Sequence, residues 1–152
     1  MPPACLDQVA DLLATAGDVA TLCARIGDPA ELDDSNAVKV VMNGQGEALY
    51  FSRSLIPHPR GQSPDEALDA GVPFYRHLGL YAYRVGALRR FTATPPSLLE
   101  QAEGLEQLRF LDLGLSIRIK ESVASIPPGI DGPEDLERIR RRMVGAEAPR
   151  HD

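Results

Sequence analysis

The residue pattern of this chain predicts an α/β layer structure. β-rich apolar runs alternate with segments of helical spacing along most of its length. Serine capping boxes and glycine stops punctuate the helical segments, and the one short hairpin signal leaves most strands joined through helices. The 152 residues suffice for one ordinary domain that buries ~70% of the surface its unfolded chain exposes.

Taken in order, Pro3 to Ala16 reads as a helix, with Leu6, Val9, Leu12 and Leu13 on one face and Gly17 at its C-terminal stop. Val19 to Ala24 is a short apolar run, better as a strand than as a second helix. Asp28-Pro29 opens a helical turn, the acid as N-cap and proline at the first position. Val38 to Met42 and Glu47 to Phe51 flank Asn43-Gly44-Gln45-Gly46, a hairpin whose loop needs glycine for positive φ. Ser52 to Val72 is the longest irregular stretch, interrupted by a short helix that begins at the capping box Ser63-Pro64-Asp65-Glu66. Long loops inside domains tend to be functional.

Tyr75 to Tyr83 reads as a strand and Arg84 to Arg90 as a helix. Ser97 and Glu100 form a second capping box, which predicts one helix through Leu98, Leu105, Leu108 and Leu111 up to Gly114. Leu115 to Lys120 alternates like a strand with one solvated face. Pro127-Pro128-Gly129 breaks the chain, Pro133 starts a last helix over Glu134 to Met143, and 145–152 is expected to be a flexible tail.

Hydrophobic residues at 43% and charged residues at 25% exclude the disordered and fibrous classes. No apolar run approaches the ~18 residues of a membrane span. The N-terminus lacks a basic residue before Arg25, unlike a secretory or transit peptide. Cys5 and Cys23 have neither a disulfide framework nor metal-ligand spacing, so a reduced, cytoplasmic protein is expected. The net charge of −6 arises entirely within residues 1–36, which carry seven acidic side chains and one basic. An acidic chain is a poor binder of nucleic acid. Fourteen of the sixteen basic residues are arginine, which suits bidentate anion contacts but equally reflects a GC-rich genome.

No phosphate-binding loop, dinucleotide fingerprint, nucleophile elbow or zinc helix is present. Arg53, His58 and Arg60 follow the hairpin, as an anion site at a strand's end or as solvated loop charge. In Arg76-His77-Leu78-Gly79-Leu80-Tyr81, His77, Gly79 and Tyr81 share one strand face. They either line a ligand pocket, with glycine admitting the ligand to the backbone, or edge the core. Glu103, Glu106 and Gln107 cluster on the long helix, as a site or as a charged solvent face. Asp131 is a metal ligand or a helix-cap residue, and the Arg138 to Arg142 run fits a helix C-terminus, where the dipole favours cations.

Read together, several blocks are more specific than any one of them. Asn36 to Val41, Ala48 to Pro57, Tyr75 to Arg84, Ser97 to Glu100 with Leu105 to Arg109, and Pro128 to Asp131 with Pro133 to Arg138 resemble, in order and spacing, the bacterial CMP-Kdo synthetases. These cytidylyltransferases activate 3-deoxy-D-manno-octulosonate (Kdo). The resemblance implies a mixed-sheet nucleotidyltransferase fold, Rossmann-like and glycosyltransferase-A-like. It also implies transfer of CMP from CTP to Kdo with release of pyrophosphate, in the cytoplasm of a bacterium making lipopolysaccharide, with Mg²⁺ as cofactor and a homodimer as the assembly. By the same carry-over His77, Tyr81, Glu106 and Gln107 hold the sugar, Arg53 and Arg60 are catalytic cations facing its carboxylate or a phosphate, and Asp131 is the second metal-binding aspartate.

Family members are longer, and the match is to their C-terminal part. Residues 1–144 are therefore expected to be the sugar-binding and dimerisation portion of a cytidylyltransferase domain. The first metal-binding aspartate and the loop cradling the CTP phosphates are not in the chain. A sheet edge normally covered by further strands is then expected to lie open. The alternative expectation is a non-catalytic module that binds sugar and pairs through the dimer surface. Leu98, Asp112 and Gly132 depart from the family pattern without touching the expected site.

Overall fold

Six helices and five strands occupy residues 2–126, which the computed structural model describes. Asp131, the run Arg138 to Arg142, the expected last helix and the tail lie outside the described residues. The elements are α1 (Pro3–Thr15), β1 (Val19–Arg25), α2 (Ala30–Asp33), β2 (Lys39–Met42), β3 (Ala48–Ser52), α3 (Pro64–Asp69), β4 (Tyr75–Tyr83), α4 (Val85–Thr92), α5 (Leu98–Glu103), α6 (Gln107–Asp112) and β5 (Ile117–Glu121). No helix among the described residues is long and apolar enough to cross a membrane.

The strands form one mixed sheet in the order β3-β2-β4-β1-β5. β5 runs parallel to β1, and every other pair is antiparallel. β2 meets β4 only where Lys39 and Val40 face Arg76 and Tyr75, extended by the bond from the His77 N–H to the Val38 carbonyl. The other end of the β2–β3 hairpin reaches across to β5. There Glu47 bridges to Arg118, and the Ile119 N–H donates to the Gly46 carbonyl at 2.9 Å. The hairpin thus straps one face of the sheet. Beneath it lie Val19, Cys23, Ile117 and Ile119, packed with Val40, Phe51, Leu105, Leu108 and Phe110. α1 covers the opposite face, setting Cys5 and Val9 on Ala20, Leu22 and Leu78. From Leu78 to Tyr83 the side of β4 away from β1 has no strand partner among the described residues.

Most local signals hold. Ser63–Glu66 and Ser97–Glu100 both close as reciprocal capping boxes. Asp28 Oδ1 accepts from the Ala30 N–H at 3.0 Å, and Gly46 takes φ +74° in the hairpin loop. Gly17 ends α1 at φ +92°, where any Cβ would lie 2.5 Å from the Arg118 side chain. Arg84 then caps α1 by donating to the Gly17 and Leu13 carbonyls.

Two expectations fail. The α1 face holds at Val9, Leu12 and Leu13 but not at Leu6, which is 50% exposed and whose place in the buried stripe Cys5 takes. The single helix after Ser97 is two helices, because Gly104 adopts φ +63°, ψ +40° and turns the chain between α5 and α6. That turn buries Leu105 and Leu108 while leaving Leu98 exposed. It is locked by a bidentate ion pair from Arg109 on α6 to Glu100 on α5, with Arg109 stacked 4.0 Å over the Phe91 ring.

Gly104→Ala is expected to cost about 1 kcal/mol in urea unfolding, from the left-handed backbone rather than from crowding. A Cβ there would meet only Arg53 atoms at 3.8 Å and beyond. Hydrogen bonds from Arg109 hold the Glu100 carboxyl below its usual pKa, against a smaller opposing effect of burial. Its contribution to stability is therefore complete above the unfolded value of about 4.3 and disappears as pH falls through the lowered folded value. Glu100→Gln should lower the melting temperature at neutral pH and shrink the further loss seen on acidification below about pH 4.

Candidate functional site

The candidate site is built on β4, and its geometry begins with a break in pairing. Leu22 pairs with Leu78 but Thr21 pairs with Tyr81, so Gly79 and Leu80 are extra residues without partners on β1. Two extra residues preserve the alternation of faces. His77, Tyr81 and Tyr83, opposite Cys23, Thr21 and Val19, therefore all point to the face strapped by the hairpin.

Their rings form a continuous row. Phe51 meets His77 edge-on with centroids 5.0 Å apart. His77 and Tyr81 follow at 5.2 Å, Tyr81 and Tyr83 stack at 5.5 Å, and Phe110 and Phe91 complete the row. Burial pulls the His77 imidazole down to about 4, so it is neutral near pH 7. Burial, with Tyr83 and Glu106 nearby, pushes the Tyr81 phenol well above its ordinary range and keeps it protonated. Burial, with the Glu106 carboxylate adding to it, raises Tyr83 as well.

Gln107, the first residue of α6, is 4% exposed, one of the few buried polar side chains of the fold. Gly79 is exposed, and the space where its Cβ would stand is empty to 4 Å. His77 and Tyr81 are thus brought together, while Glu106 and Gln107 open α6, Glu106 being felt at both tyrosines. The set offers a neutral imidazole, a phenol, a carboxylate and an amide, directional partners for a hydroxylated ligand.

The remaining expected residues sit differently. Arg53 is committed to backbone carbonyls: Nε donates to Glu103 at 2.7 Å, Nη1 to Ser35 at 3.0 Å and Nη2 to Gly104 at 3.3 Å. It clamps the end of β3 to the α5–α6 turn rather than reaching out as a cation. Glu103 does not share a face with Gln107, because Gly104 separates their helices. Its carboxylate accepts from Ser52 Oγ at 2.7 Å and the Arg53 N–H at 3.0 Å. Arg60 and His58 are exposed in the loop before α3, and no hydrogen bond ties either to the ring row. The described residues contain no cluster of three or more His, Cys, Asp or Glu able to hold a metal. Cys5 and Cys23 are buried free thiols, and burial raises Cys23 to about 12.

Three residues were not legible beforehand. Thr21 is fully buried and bonded to His77; its signal is one hydroxyl inside the apolar run Val19 to Ala24. Tyr83 continues the row. Lys39 is fully buried on β2, its Nζ donating to the Asp34 carbonyl at 2.7 Å beneath the acidic segment before it. Strand alternation gives no sign of that cover.

A family model described as "Cytidylyltransferase" matches residues 1–119. The 3-deoxy-manno-octulosonate cytidylyltransferase of Xanthomonas oryzae pv. oryzae is 44% identical over 148 residues, covering 95% of this chain and 57% of that protein. The protein of the same name from Pseudomonas fluorescens is 47% identical over 151 residues, covering 96% and 59%. Among solved structures, a CMP:2-keto-3-deoxy-manno-octonic acid synthetase complexed with CTP superposes with a TM-score of 0.78 at 39% identity, over 96% of this chain and 58% of that one. The chain spans less than three fifths of the length of these proteins, and its mixed sheet is part of the same α/β nucleotidyltransferase-like fold. With the family match running from Met1 to the third residue of β5, the chain belongs to the cytidylyltransferase family.

Proposed function

We propose that this chain carries the sugar-binding part of an enzyme that transfers CMP from CTP to 3-deoxy-D-manno-octulosonate and releases pyrophosphate. The observation that carries the reading is the pairing of the His77 and Tyr81 rings on one face of β4, beside the exposed Gly79. Relatives named for this reaction, at 44–47% identity, support it. In the proposed reaction the anomeric hydroxyl forms a bond to the α-phosphorus, the bond to pyrophosphate breaks in line, and the hydroxyl proton is lost. Such a reaction depends mainly on positioning and charge neutralisation. The ring row and Gln107 would orient the sugar's hydroxyls, and Arg60 would meet its carboxylate. Arg53 would hold the loop carrying Arg60.

Mg²⁺ is the proposed cofactor. Asp131 is a hard oxygen donor of the kind Mg²⁺ takes singly, alongside water and substrate phosphates, whose charge the ion would neutralise. A homodimer is the proposed assembly; Val85, Leu88, Leu98 and Leu99, large apolar side chains exposed on α4 and α5, support it.

Two measurements test the reading. In calorimetric titration with Kdo, His77→Ala and Gln107→Ala should each weaken binding about tenfold, as for one lost oriented hydrogen bond. Gly79→Ala should weaken binding while leaving the melting temperature unchanged, since its Cβ would enter space empty of protein. Kdo binding untouched by all three would refute the sugar wall. Pyrophosphate release from CTP and Kdo with Mg²⁺ should appear when the chain is supplied with the N-terminal part of a full-length relative. If Kdo binds and no complement restores turnover, the non-catalytic sugar-binding module becomes the better description.

A further inference from the structure

Of the buried residues that β1 turns to the strapped face, Val19, Thr21 and Cys23, Thr21 is the hydroxyl-bearing one and is 0% exposed. A hydroxyl buried there must be bonded. Opposite it the register shifts at Gly79 and Leu80. Thr21 Oγ1 is bonded there: it lies 2.8 Å from the Leu80 carbonyl, 3.1 Å from the Leu78 carbonyl and 3.0 Å from His77 Nε2.

The proton count at this atom has one solution. A threonine hydroxyl has one hydrogen, and a carbonyl can only accept. The hydrogen must therefore point to the Leu80 and Leu78 carbonyls, and Nε2 must donate into a hydroxyl lone pair. With a bare Nε2 the Thr21 hydrogen would have to turn towards the ring. Two carbonyl oxygens would then face the hydroxyl oxygen with no hydrogen between them. Near pH 7 the buried ring is neutral and carries one proton, so a proton on Nε2 leaves Nδ1 as a bare acceptor. No described residue bonds Nδ1, and Phe51 and Tyr81 hold the ring from either side.

We propose that Thr21 is a positioning residue: it locks His77 in the Nε2–H tautomer, and so presents Nδ1 to the sugar acid as a hydrogen-bond acceptor. His77 then recognises a donating hydroxyl of the ligand. It disfavours a carboxylate oxygen, which would set lone pair against lone pair. The ligand-facing half rests on reading β4 as the sugar wall; the tautomer lock does not.

The test is a long-range ¹H–¹⁵N correlation spectrum of the labelled 152-residue chain. It holds three histidines, so His77→Gln identifies the His77 signals by their loss. In the wild type and in Thr21→Ser, Nε2 should give the protonated, pyrrole-type resonance and Nδ1 the bare, pyridine-type one. Thr21→Val, which keeps the shape and removes the hydroxyl, should show a mixture of tautomers and bind Kdo about tenfold more weakly, with Thr21→Ser close to wild type. Kdo should move the wild-type Nδ1 resonance as it accepts a hydrogen bond. A wild-type Nδ1–H tautomer would overturn the proposal even if Thr21→Val failed to fold, and so would an unaltered tautomer in a folded Thr21→Val. If the lock is seen and Kdo leaves Nδ1 unmoved, the ligand-facing half falls together with the sugar wall while the lock stands.

Discussion

Everything on the ring-bearing face follows from a parity constraint in β4. An antiparallel ladder that gains one residue turns every later side chain to the opposite face, whereas one that gains two keeps them where they were. β4 gains Gly79 and Leu80, so His77 before the break and Tyr81 and Tyr83 after it stay on one side. Leu78, Leu80 and Ala82 stay on the other, against α1. At the break Thr21, on the neighbouring strand, bonds the Leu78 and Leu80 carbonyls and so fastens the histidine of the row to the backbone irregularity that positions it.

The arginines explain how so irregular a chain is held around that sheet. Composition left open whether they signalled anion binding, and the structure spends most of those among the described residues on carbonyl oxygens and carboxylates. Arg84 closes the end of α1, Arg53 clamps β3 to the α5–α6 turn, and Arg90 donates to the Leu113 carbonyl. Arg109 joins two helices through Glu100. Arg76 Nη2 donates to the Ile126 carbonyl, and Nε lies 2.9 Å from a Glu31 oxygen without hydrogen-bond alignment. A guanidinium has five donors in a rigid fork, so one side chain satisfies several chain ends that no helix or strand would satisfy. Arg60, in an exposed loop, is the expected cation that none of this architecture consumes among the described residues.

The open side of β4 sits next to the candidate site. The strand that carries Tyr81 and Tyr83 is paired on one edge only beyond His77. A strand laid along the other edge would satisfy that backbone and stand beside the same side chains. Matching relatives are longer than this chain by more than two fifths of their own length, and an edge of this kind is where a sheet grows.

The amino-acid sequence by itself determined the features whose energetics are local. Both capping boxes, the glycine-bearing hairpin, the stops at Gly17 and Gly114 and the limits of β4 are set by backbone bonds and dihedral angles within a few residues. The blocks around His77, Tyr81, Glu106 and Gln107 were legible as well, as chemistry and as family resemblance. Only the tertiary structure decided which of these side chains meet one another and which are consumed in holding the fold. Glu103 is bound to Ser52 from 51 positions away and Thr21 to His77 from 56. The αL turn at Gly104 is favoured over a continuous helix because it buries Leu105 and Leu108 against distant strands. Burial of a polar group is a property of everything packed around it, and spacing along the chain carries no record of those neighbours.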